Sequence, residues 1–243
     1  MCKVFVARAA RCTAATAGLA SDCPITHSRV YPSTLRSRLT LPKPESPRRI
    51  HREPSWRPVR YYTAALLPGT CRPWLLDDSS LTVRLIELNQ GDFRVQRRYQ
   101  GWQTPLLSES KLLGVPVRQR ALVREVGLML ADQTVVFARS VFPVASLTGD
   151  LTHLRYLQNK SLGAILFKYP GMRRSPFELA RMAGDSEYLP SDLHQSTPAW
   201  GRRSRFVIGG RSLMVSEVFL EGFAPWKSEL AVHRAQRGSV LPD

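Results

Sequence analysis

Two consecutive apolar segments, LVREVGLML (residues 122–130) and TVVFARSVF (residues 134–142), decide the fold of this chain. Both are rich in the branched and aromatic side chains that favour strands, and only Ala131, Asp132 and Gln133 separate them. Strands that lie this close in sequence pair as an antiparallel hairpin. The pattern therefore predicts a β-hairpin in the middle of the chain.

A second hairpin is predicted nearer the C-terminus. RRSRFVI (residues 202–208) and SLMVSEVFL (residues 212–220) flank Gly209 and Gly210, whose tolerance of positive φ suits a tight turn. DFRVQRRYQGW (residues 92–102) approximates the alternation of a further strand. Because the strands cluster in hairpins and do not alternate with helices, we expect an α+β fold built on a single antiparallel β-sheet with flanking helices.

Two segments have the leucine spacing of short helices. Within residues 72–90 the spaced leucines are Leu81, Leu85 and Leu88, and the residues from Asp77 to Ser80 offer an N-cap. Within residues 150–160 they are Leu151, Leu154 and Leu157. Residues 182–200 are polar and interrupted by proline, which predicts a loop.

The N-terminal segment differs from the rest of the chain. Residues 40–58 hold five prolines among charged and small residues, so we expect residues 1–58 to be a basic, disordered leader. The expected domain spans residues 59–230, followed by a tail of residues 231–243. The acid-free start is typical of an organelle transit peptide within residues 1–40, but a translation start placed too early and a nucleic-acid-binding arm remain alternatives. A cytoplasmic bacterial protein is the expectation otherwise.

Composition excludes several classes of protein. The chain has 243 residues, 43% of them hydrophobic, and a formal net charge of +16, which is an ordinary globular composition with a basic bias. No apolar run approaches the roughly 18 residues of a membrane-spanning helix. The four cysteines form no C-x-x-C pair, so neither zinc nor a disulfide scaffold is expected. Nucleophile-elbow, phosphate-loop and dinucleotide-binding motifs are also missing from the sequence, which favours a cofactor-free site.

Three charged residues share a strand phase with apolar ones. Arg124 is in phase with Leu122, Val126 and Leu128, Glu217 with Leu213, Val215 and Phe219, and Arg139 with Val135, Phe137 and Val141. A charge on a core-facing side is costly unless it meets an opposite charge or a bound polar ligand. Two interpretations stay open: a buried Arg–Glu pair that closes the sheet, and an apolar cavity whose few polar groups hold a small anion.

The chain resembles the chorismate pyruvate-lyase family over about residues 72 to 226. The resemblance is carried, in this order, by LVREVGLML (residues 122–130), ARSVFPVASLTG (residues 138–149), NKSLGAILF (residues 159–167), WGRRSRF (residues 200–206) and SEVFL (residues 216–220). It implies the family's fold and its reaction, the elimination of pyruvate from chorismate to give 4-hydroxybenzoate at the start of ubiquinone synthesis, with no metal and no cofactor.

The resemblance also implies the residues of the site. Arg124 would hold the ring carboxylate and Glu217 would contact the ring hydroxyl, and both are the expected catalytic residues. Backbone groups of Leu162 and Leu81 would bind the substrate, with Leu81 standing where the family has methionine. Candidates for the second carboxylate are Arg139, Arg202, Arg203 and Lys160. Neighbouring strand residues point to opposite faces, so at most one of Arg202 and Arg203 can face a cavity.

Two other functions compete with the lyase. A non-catalytic effector-binding domain of the same fold would follow a helix-turn-helix domain in a transcription regulator, but residues 1–60 show no helical periodicity. A nucleic-acid binder rests on positive charge alone, and a basic surface attracts an anionic substrate equally well. The expected partner is therefore the small molecule chorismate, with no specific nucleic acid, no membrane span and a monomeric protein.

Overall fold

The computed structural model describes residues 47–63, 65–88 and 93–223, which form one antiparallel sheet with helices packed on it. The strands are β1 (Arg57–Pro58), β2 (Phe93–Gln103), β3 (Ala121–Leu130), β4 (Gln133–Pro143), β5 (Arg173–Arg174), β6 (Glu178–Met182), β7 (Ala199–Ile208) and β8 (Arg211–Phe219). The helices are α1 (Arg72–Leu75), α2 (Leu81–Leu88), α3 (Leu107–Leu113) and α4 (Leu162–Leu166). The strand order is β1-β6-β7-β8-β4-β3-β2, and β5 pairs with β7. The predicted α+β class and single antiparallel sheet are confirmed.

Both predicted hairpins are present. In the first, Leu130 pairs with Gln133, so the turn is only Ala131 and Asp132, and Gln133 is the first residue of β4. A register shift at Leu128 and Met129 then inserts one extra residue into β4. In the second, Ile208 pairs with Arg211 across Gly209 and Gly210. These glycines have φ of 53° and 76°, the paired positive values that a two-residue hairpin turn requires.

The helix expected within residues 150–160 takes a different form. Gly149–Tyr156 is a 3₁₀ helix, with Thr148 at its N-cap making no side-chain capping bond. Leu151, Leu154 and Leu157 are nevertheless all buried. They recur every three residues, which matches the three residues per turn of a 3₁₀ helix better than the 3.6 of an α-helix. The spacing predicted the buried side correctly and the type of helix wrongly.

The other predicted elements agree closely with the structure. The helix starting at Leu81 is α2, and β2 begins at Phe93, next to Asp92, which lies outside the described residues. Within residues 182–200, the two ends belong to β6 and β7, and the chain between them is a loop that contains the 3₁₀ turn Ser191–Leu193.

The sheet is covered on both sides. We call the side that carries Val126, Ala138 and Val215 the front face, and the side that carries Phe137 and Val218 the back face. Helices α1, α2 and α4 contribute apolar side chains to the clusters on the front face. On the back face the clusters include Tyr188 and Leu189 from the β6–β7 loop and Leu113 from α3. Two covered faces explain why β3 reads as an almost unbroken run of buried residues.

Residues 47–58 also lie against the sheet. Trp56 packs edge-on against Tyr188 at a centroid distance of 5.8 Å, and β1 pairs with β6. These contacts place residues 47–58 with the domain, although their composition predicts a leader. The expectations for residues 1–46, including a transit peptide, lie outside the described residues. In the part of the chain that the structure describes, no helix has the length and apolar character needed to traverse a lipid bilayer.

Candidate functional site

A cavity opens between the front face of the sheet and helices α2 and α4. Its lining is mostly apolar, with side chains from β2, β3, β4, β7 and β8 forming the sheet wall. The polar residues that line it are Ser79, Thr82, Arg124, Ser140, Ser161, Arg174, Arg202, Arg203, Ser204 and Glu217. A mostly apolar hollow with a few convergent polar groups is typical of a small-molecule site.

Arg124 lies in the cavity wall on β3 and is 1% exposed. Its Nη2 donates to the backbone carbonyls of Gln158 at 2.9 Å and Lys160 at 2.8 Å, which hold the guanidinium in place. Its Nε is buried without a hydrogen-bond partner, and no carboxylate of the described residues forms an ion pair with it. Burial, together with the like charge of Arg97, lowers the pKa of Arg124 to about 10, so it remains a cation at neutral pH. A buried cation without a counter-ion is the arrangement expected of an anion-binding residue.

Glu217 lies in the same cavity wall, on β8. β4 separates β8 from β3, and the registers offset Glu217 from Arg124 by two residues along the strands. Strand spacing and rise therefore put the two Cα atoms about 12 Å apart. Oε2 of Glu217 accepts from Nε of Arg202 at 2.6 Å, and no described residue donates to its Oε1. The structure thus brings together the two predicted catalytic residues.

The two leucines named for backbone contacts begin two short helices at the cavity. Leu81 is the first residue of α2 and Leu162 the first of α4, and both line the space. Ser161 joins the two helix starts, because its Oγ accepts from the N–H of Ala164 and donates to Oγ1 of Thr82 at 2.8 Å. The N–H groups of Leu81 and Leu162, the first residues of these helices, have no acceptor inside their own helix, so they are available to a ligand oxygen.

The sequence did not single out Arg174, which lines the cavity from β5 and is 5% exposed. It pairs with the carboxylate of Asp78, and its guanidinium lies 4.4 Å from the ring centroid of Phe177. Burial and the neighbouring charge of Arg202 lower the pKa of Arg174 to about 10, although Asp78 acts in the opposite direction. The sequence around Arg174, RRSPF (residues 173–177), could not show that its side chain faces the cavity. Strand β5 has only two residues, so it has no alternation from which to assign a face.

The four candidates for binding the second carboxylate differ in whether their charged groups face the cavity. Arg202 faces the cavity, but its Nη1 also donates to the carbonyls of Trp74 and Asp77. The guanidinium of Arg203 binds Glu178 Oε2 and Ser108 Oγ, so only one of the adjacent pair presents its charge to the cavity, as predicted. The side chain of Lys160 is exposed and does not line the cavity.

Arg139 is the fourth candidate, and its assignment to the substrate site is wrong. It lies on the back face and binds Glu109 Oε1 at 2.7 Å and Glu125 Oε1 at 2.7 Å. The reason is register. Arg124 pairs with Ser140 and Glu125 with Arg139, so Arg139 points away from the cavity side. For Arg139 the interpretation as a buried ion pair holds. Burial alone would lower its pKa, but the two carboxylates outweigh burial and raise it.

No group of three metal-ligating side chains occurs among residues 47–63, 65–88 and 93–223. Four arginines and one carboxylate line the cavity instead, and three of those arginines, Arg124, Arg174 and Arg202, direct their guanidinium groups to it, whereas that of Arg203 is bound to Glu178 and Ser108. This donor set suits an organic anion, because guanidinium groups match carboxylates in geometry and charge.

Comparison with known proteins gives a family match. The family model described as chorismate lyase matches residues 58–228. A probable chorismate pyruvate-lyase of Alcanivorax borkumensis is 39% identical over 197 residues, covering 81% of this chain and 89% of that protein. One from Pseudomonas aeruginosa is 41% identical over 151 residues, covering 62% of this chain and 83% of that protein. Among solved structures, the PhnF C-terminal domain is 14% identical with a TM-score of 0.44, covering 55% of this chain and 87% of that chain.

Proposed function

The chain belongs to the chorismate lyase family, and on that premise we propose that it eliminates pyruvate from chorismate to give 4-hydroxybenzoate, which supplies the aromatic ring for ubiquinone synthesis. The observation that carries the proposal is Arg124, a buried cation without a counter-ion in a cavity that also holds Glu217. The names of the relatives support chorismate as the substrate.

Arg124 binds the ring carboxylate in this proposal. Its Nη2 is already committed to two carbonyls, so Nε and Nη1 supply the donors that face the ligand. A substrate carboxylate would neutralise the buried guanidinium and satisfy its unpaired Nε at the same time. The free protein therefore carries a desolvation penalty that the substrate relieves, and such an arrangement favours binding of anions over neutral molecules.

Glu217 contacts the ring hydroxyl at the opposite end of the ring. Arg202 holds one carboxylate oxygen, and the other is left to accept from the hydroxyl. Backbone N–H groups at Leu81 and Leu162 provide further donors between these two ends. Together these groups would fix the ring in one orientation, with its carboxylate at β3 and its hydroxyl at β8.

We assign the second carboxylate, which belongs to the enolpyruvyl group, to the side of the cavity near Arg174 and Arg202. Each of these arginines already has one carboxylate partner, Asp78 and Glu217 respectively. The three cavity arginines and these two carboxylates leave one net positive charge, and the dianionic substrate is drawn to that excess.

The reaction itself makes modest demands on the protein. The ether bond between the ring and the enolpyruvyl oxygen breaks, the hydroxyl-bearing carbon loses its hydrogen as a proton, and the ring becomes aromatic. The departing enol takes up a proton and becomes pyruvate, so no oxidant or reductant is needed. The protein needs to orient the dianion, exclude water and stabilise charge on the departing oxygen, which arginines and backbone N–H groups do well.

The test of the proposal is to incubate the full-length protein with chorismate and to measure pyruvate and 4-hydroxybenzoate together. We expect the two products in equal amounts and at a rate proportional to protein concentration. An effector-binding domain, the competing function, would bind a ligand without releasing pyruvate. Absence of pyruvate above the spontaneous rate would reject the lyase proposal.

Glu217→Gln is expected to keep kcat within about tenfold of that of the unsubstituted protein, because the proposed role of Glu217 is to contact the ring hydroxyl and not to transfer a proton. Loss of a general acid or base would instead lower kcat by about 10²- to 10⁴-fold. The amide keeps the shape of the side chain and an acceptor oxygen for Arg202. The measurement is kcat from pyruvate release, with Glu217→Ala as the companion that removes both contacts. A hundredfold loss of kcat already in the Gln variant would show that Glu217 transfers a proton.

Arg174→Gln is expected to weaken the binding of chorismate by about 1.5 to 3 kcal/mol, the usual contribution of a hydrogen bond to a charged group. Inhibition by 4-hydroxybenzoate, which has only the ring carboxylate, is expected to change little. Steady-state KM for chorismate and the inhibition constant for 4-hydroxybenzoate give the comparison. Equal losses for both molecules would remove Arg174 from the second carboxylate site.

A further inference from the structure

Residues 47–56, which precede the segment matched by the family model, run across the back face of the sheet and are called the strap here. Two carboxylates, one from the strap and one from the rest of the domain, hold it in place through hydrogen bonds to backbone N–H groups. Glu53, in the strap, accepts from the backbone N–H groups of Leu107 and Ser108 at the start of α3, at 2.8 Å and 3.0 Å. Glu187, in the β6–β7 loop, accepts from the N–H groups of His51 at 2.6 Å and Arg52 at 3.2 Å.

Aromatic packing fixes the end of the strap. Trp56 contacts Tyr188, and the guanidinium of Arg203 lies 4.8 Å from its ring centroid. The indole also lies so close to Gly201 of β7 that a Cβ at that position would come within 3.0 Å of it. The sheet and the strap are therefore complementary in shape at this point.

The beginning of the strap supplies a charge to the interior. Arg48 Nη2 donates to Glu125 Oε1 at 2.9 Å and to the carbonyl of Tyr188 at 3.3 Å, while its Nη1 donates to the carbonyl of Glu187 at 3.0 Å. Glu125 is 3% exposed at its side chain and shares Arg139 with Glu109, which is fully buried. Without Arg48, two buried carboxylates would have one arginine between them. With Arg48 the network holds two positive and two negative charges.

The network lies directly behind the substrate site. Glu125 follows Arg124 on β3, so the two side chains leave the same strand toward opposite faces. The groups that face Glu125 are Arg48 from the strap, Arg139 from β4 and Glu109 from α3. Tyr188 is close by, and burial followed by the charge of Glu109 raises the pKa of its phenol, so it stays neutral. An unbalanced carboxylate here would displace β3 or admit water beside the residue that binds substrate.

We propose that the strap is a working part of the enzyme and that Arg48 is a positioning residue, which holds Arg124 in its binding geometry by balancing the charge of Glu125. The positioning role rests on the proposed lyase function, whereas the structural role of the strap does not. The strap lies upstream of residue 58, so the functional domain of this chain is longer than the segment matched by the family model.

The experiment compares four full-length proteins: the unsubstituted chain, Arg48→Ala, Glu125→Gln, and the double variant. Arg48→Ala is expected to lower Tm by about 10 °C, because it leaves the buried carboxylates of Glu109 and Glu125 with one arginine between them, and an uncompensated buried charge is strongly destabilising. It is also expected to raise KM for chorismate by about fivefold, the scale of a 1 kcal/mol effect, with kcat nearly unchanged. Adding Glu125→Gln removes the surplus charge and is expected to restore most of both losses.

The matched control is Arg52→Ala, which removes an exposed arginine from the same strap and keeps the backbone contact to Glu187. It is expected to leave Tm and KM unchanged. A lowered Tm with unchanged KM in Arg48→Ala would overturn the positioning role. An unchanged Tm, or a double variant no better than Arg48→Ala, would overturn the charge-balancing role as well. Tm does not depend on turnover, so these results stand apart from any failure of the unsubstituted protein to release pyruvate.

Discussion

Arg124→Ala is expected to reduce kcat/KM for chorismate by a factor that corresponds to about 2 to 5 kcal/mol, the usual effect of truncating one partner of a buried charge pair. The substrate carboxylate would enter the cavity and find no guanidinium. Pyruvate release at a series of chorismate concentrations measures the effect. Because Arg124 has no counter-ion in the free protein, its removal is expected to shift Tm by less than about 4 °C, the equivalent of roughly 1 kcal/mol.

The control for this prediction is Arg94→Ala on the neighbouring strand β2. Arg94 is exposed and pairs with Asp132, which is almost fully exposed, so its loss is expected to change neither activity nor stability appreciably. Arg124→Lys is the conservative companion, since a lysine keeps the charge but loses the two-pronged geometry. Unchanged kinetic constants in Arg124→Ala would remove Arg124 from the site, and a folding defect comparable to that of a core truncation would assign it a structural role instead.

Arg139→Ala is expected to produce the largest loss of stability of any substitution discussed, about 3 to 5 kcal/mol, because Glu109 and Glu125 would remain buried without their shared arginine. A loss of this size is a large part of the total stability of a typical domain. Urea unfolding followed by tryptophan fluorescence measures it. If the variant does not accumulate, Glu109→Gln removes one charge of the same network while keeping the shape of the side chain, and a smaller loss is expected.

Arg139 and Arg124 give opposite results in these two predictions, although the sequence presents them alike. Each is an arginine on an apolar strand, and each is almost fully buried. Loss of Arg139 is expected to affect folding, whereas loss of Arg124 is expected to affect activity. A stability loss of less than about 1 kcal/mol in Arg139→Ala would contradict the picture of a charge network that holds the back of the sheet together.

The face of Arg139 could have been inferred from the sequence. A three-residue connection between the predicted strands already places Glu125 opposite Arg139 and Arg124 opposite Ser140. The structure reaches the same pairing by another route, with a two-residue turn followed by a register shift. Strand phase alone says which residues share a face within one strand. The register of the hairpin is also needed to decide which faces of two strands agree.

Other features lay beyond inference from the sequence. Residues 47–58 read as a linker because proline and charge cannot form a core, but their polar groups bind carboxylates and backbone groups that other segments supply. Arg174 lies in a strand too short to show a period. Both depend on contacts between distant segments, which local patterns do not encode. The hairpins, by contrast, follow from local turn chemistry and alternation, and their strand ends were predicted to within three residues.

The most direct test of the account is a crystal structure of the protein with 4-hydroxybenzoate bound. We predict the ring inside the front-face cavity, its carboxylate on the guanidinium of Arg124 and its hydroxyl on the carboxylate of Glu217. A product molecule bound elsewhere, or bound in the cavity with its carboxylate away from Arg124, would contradict the account.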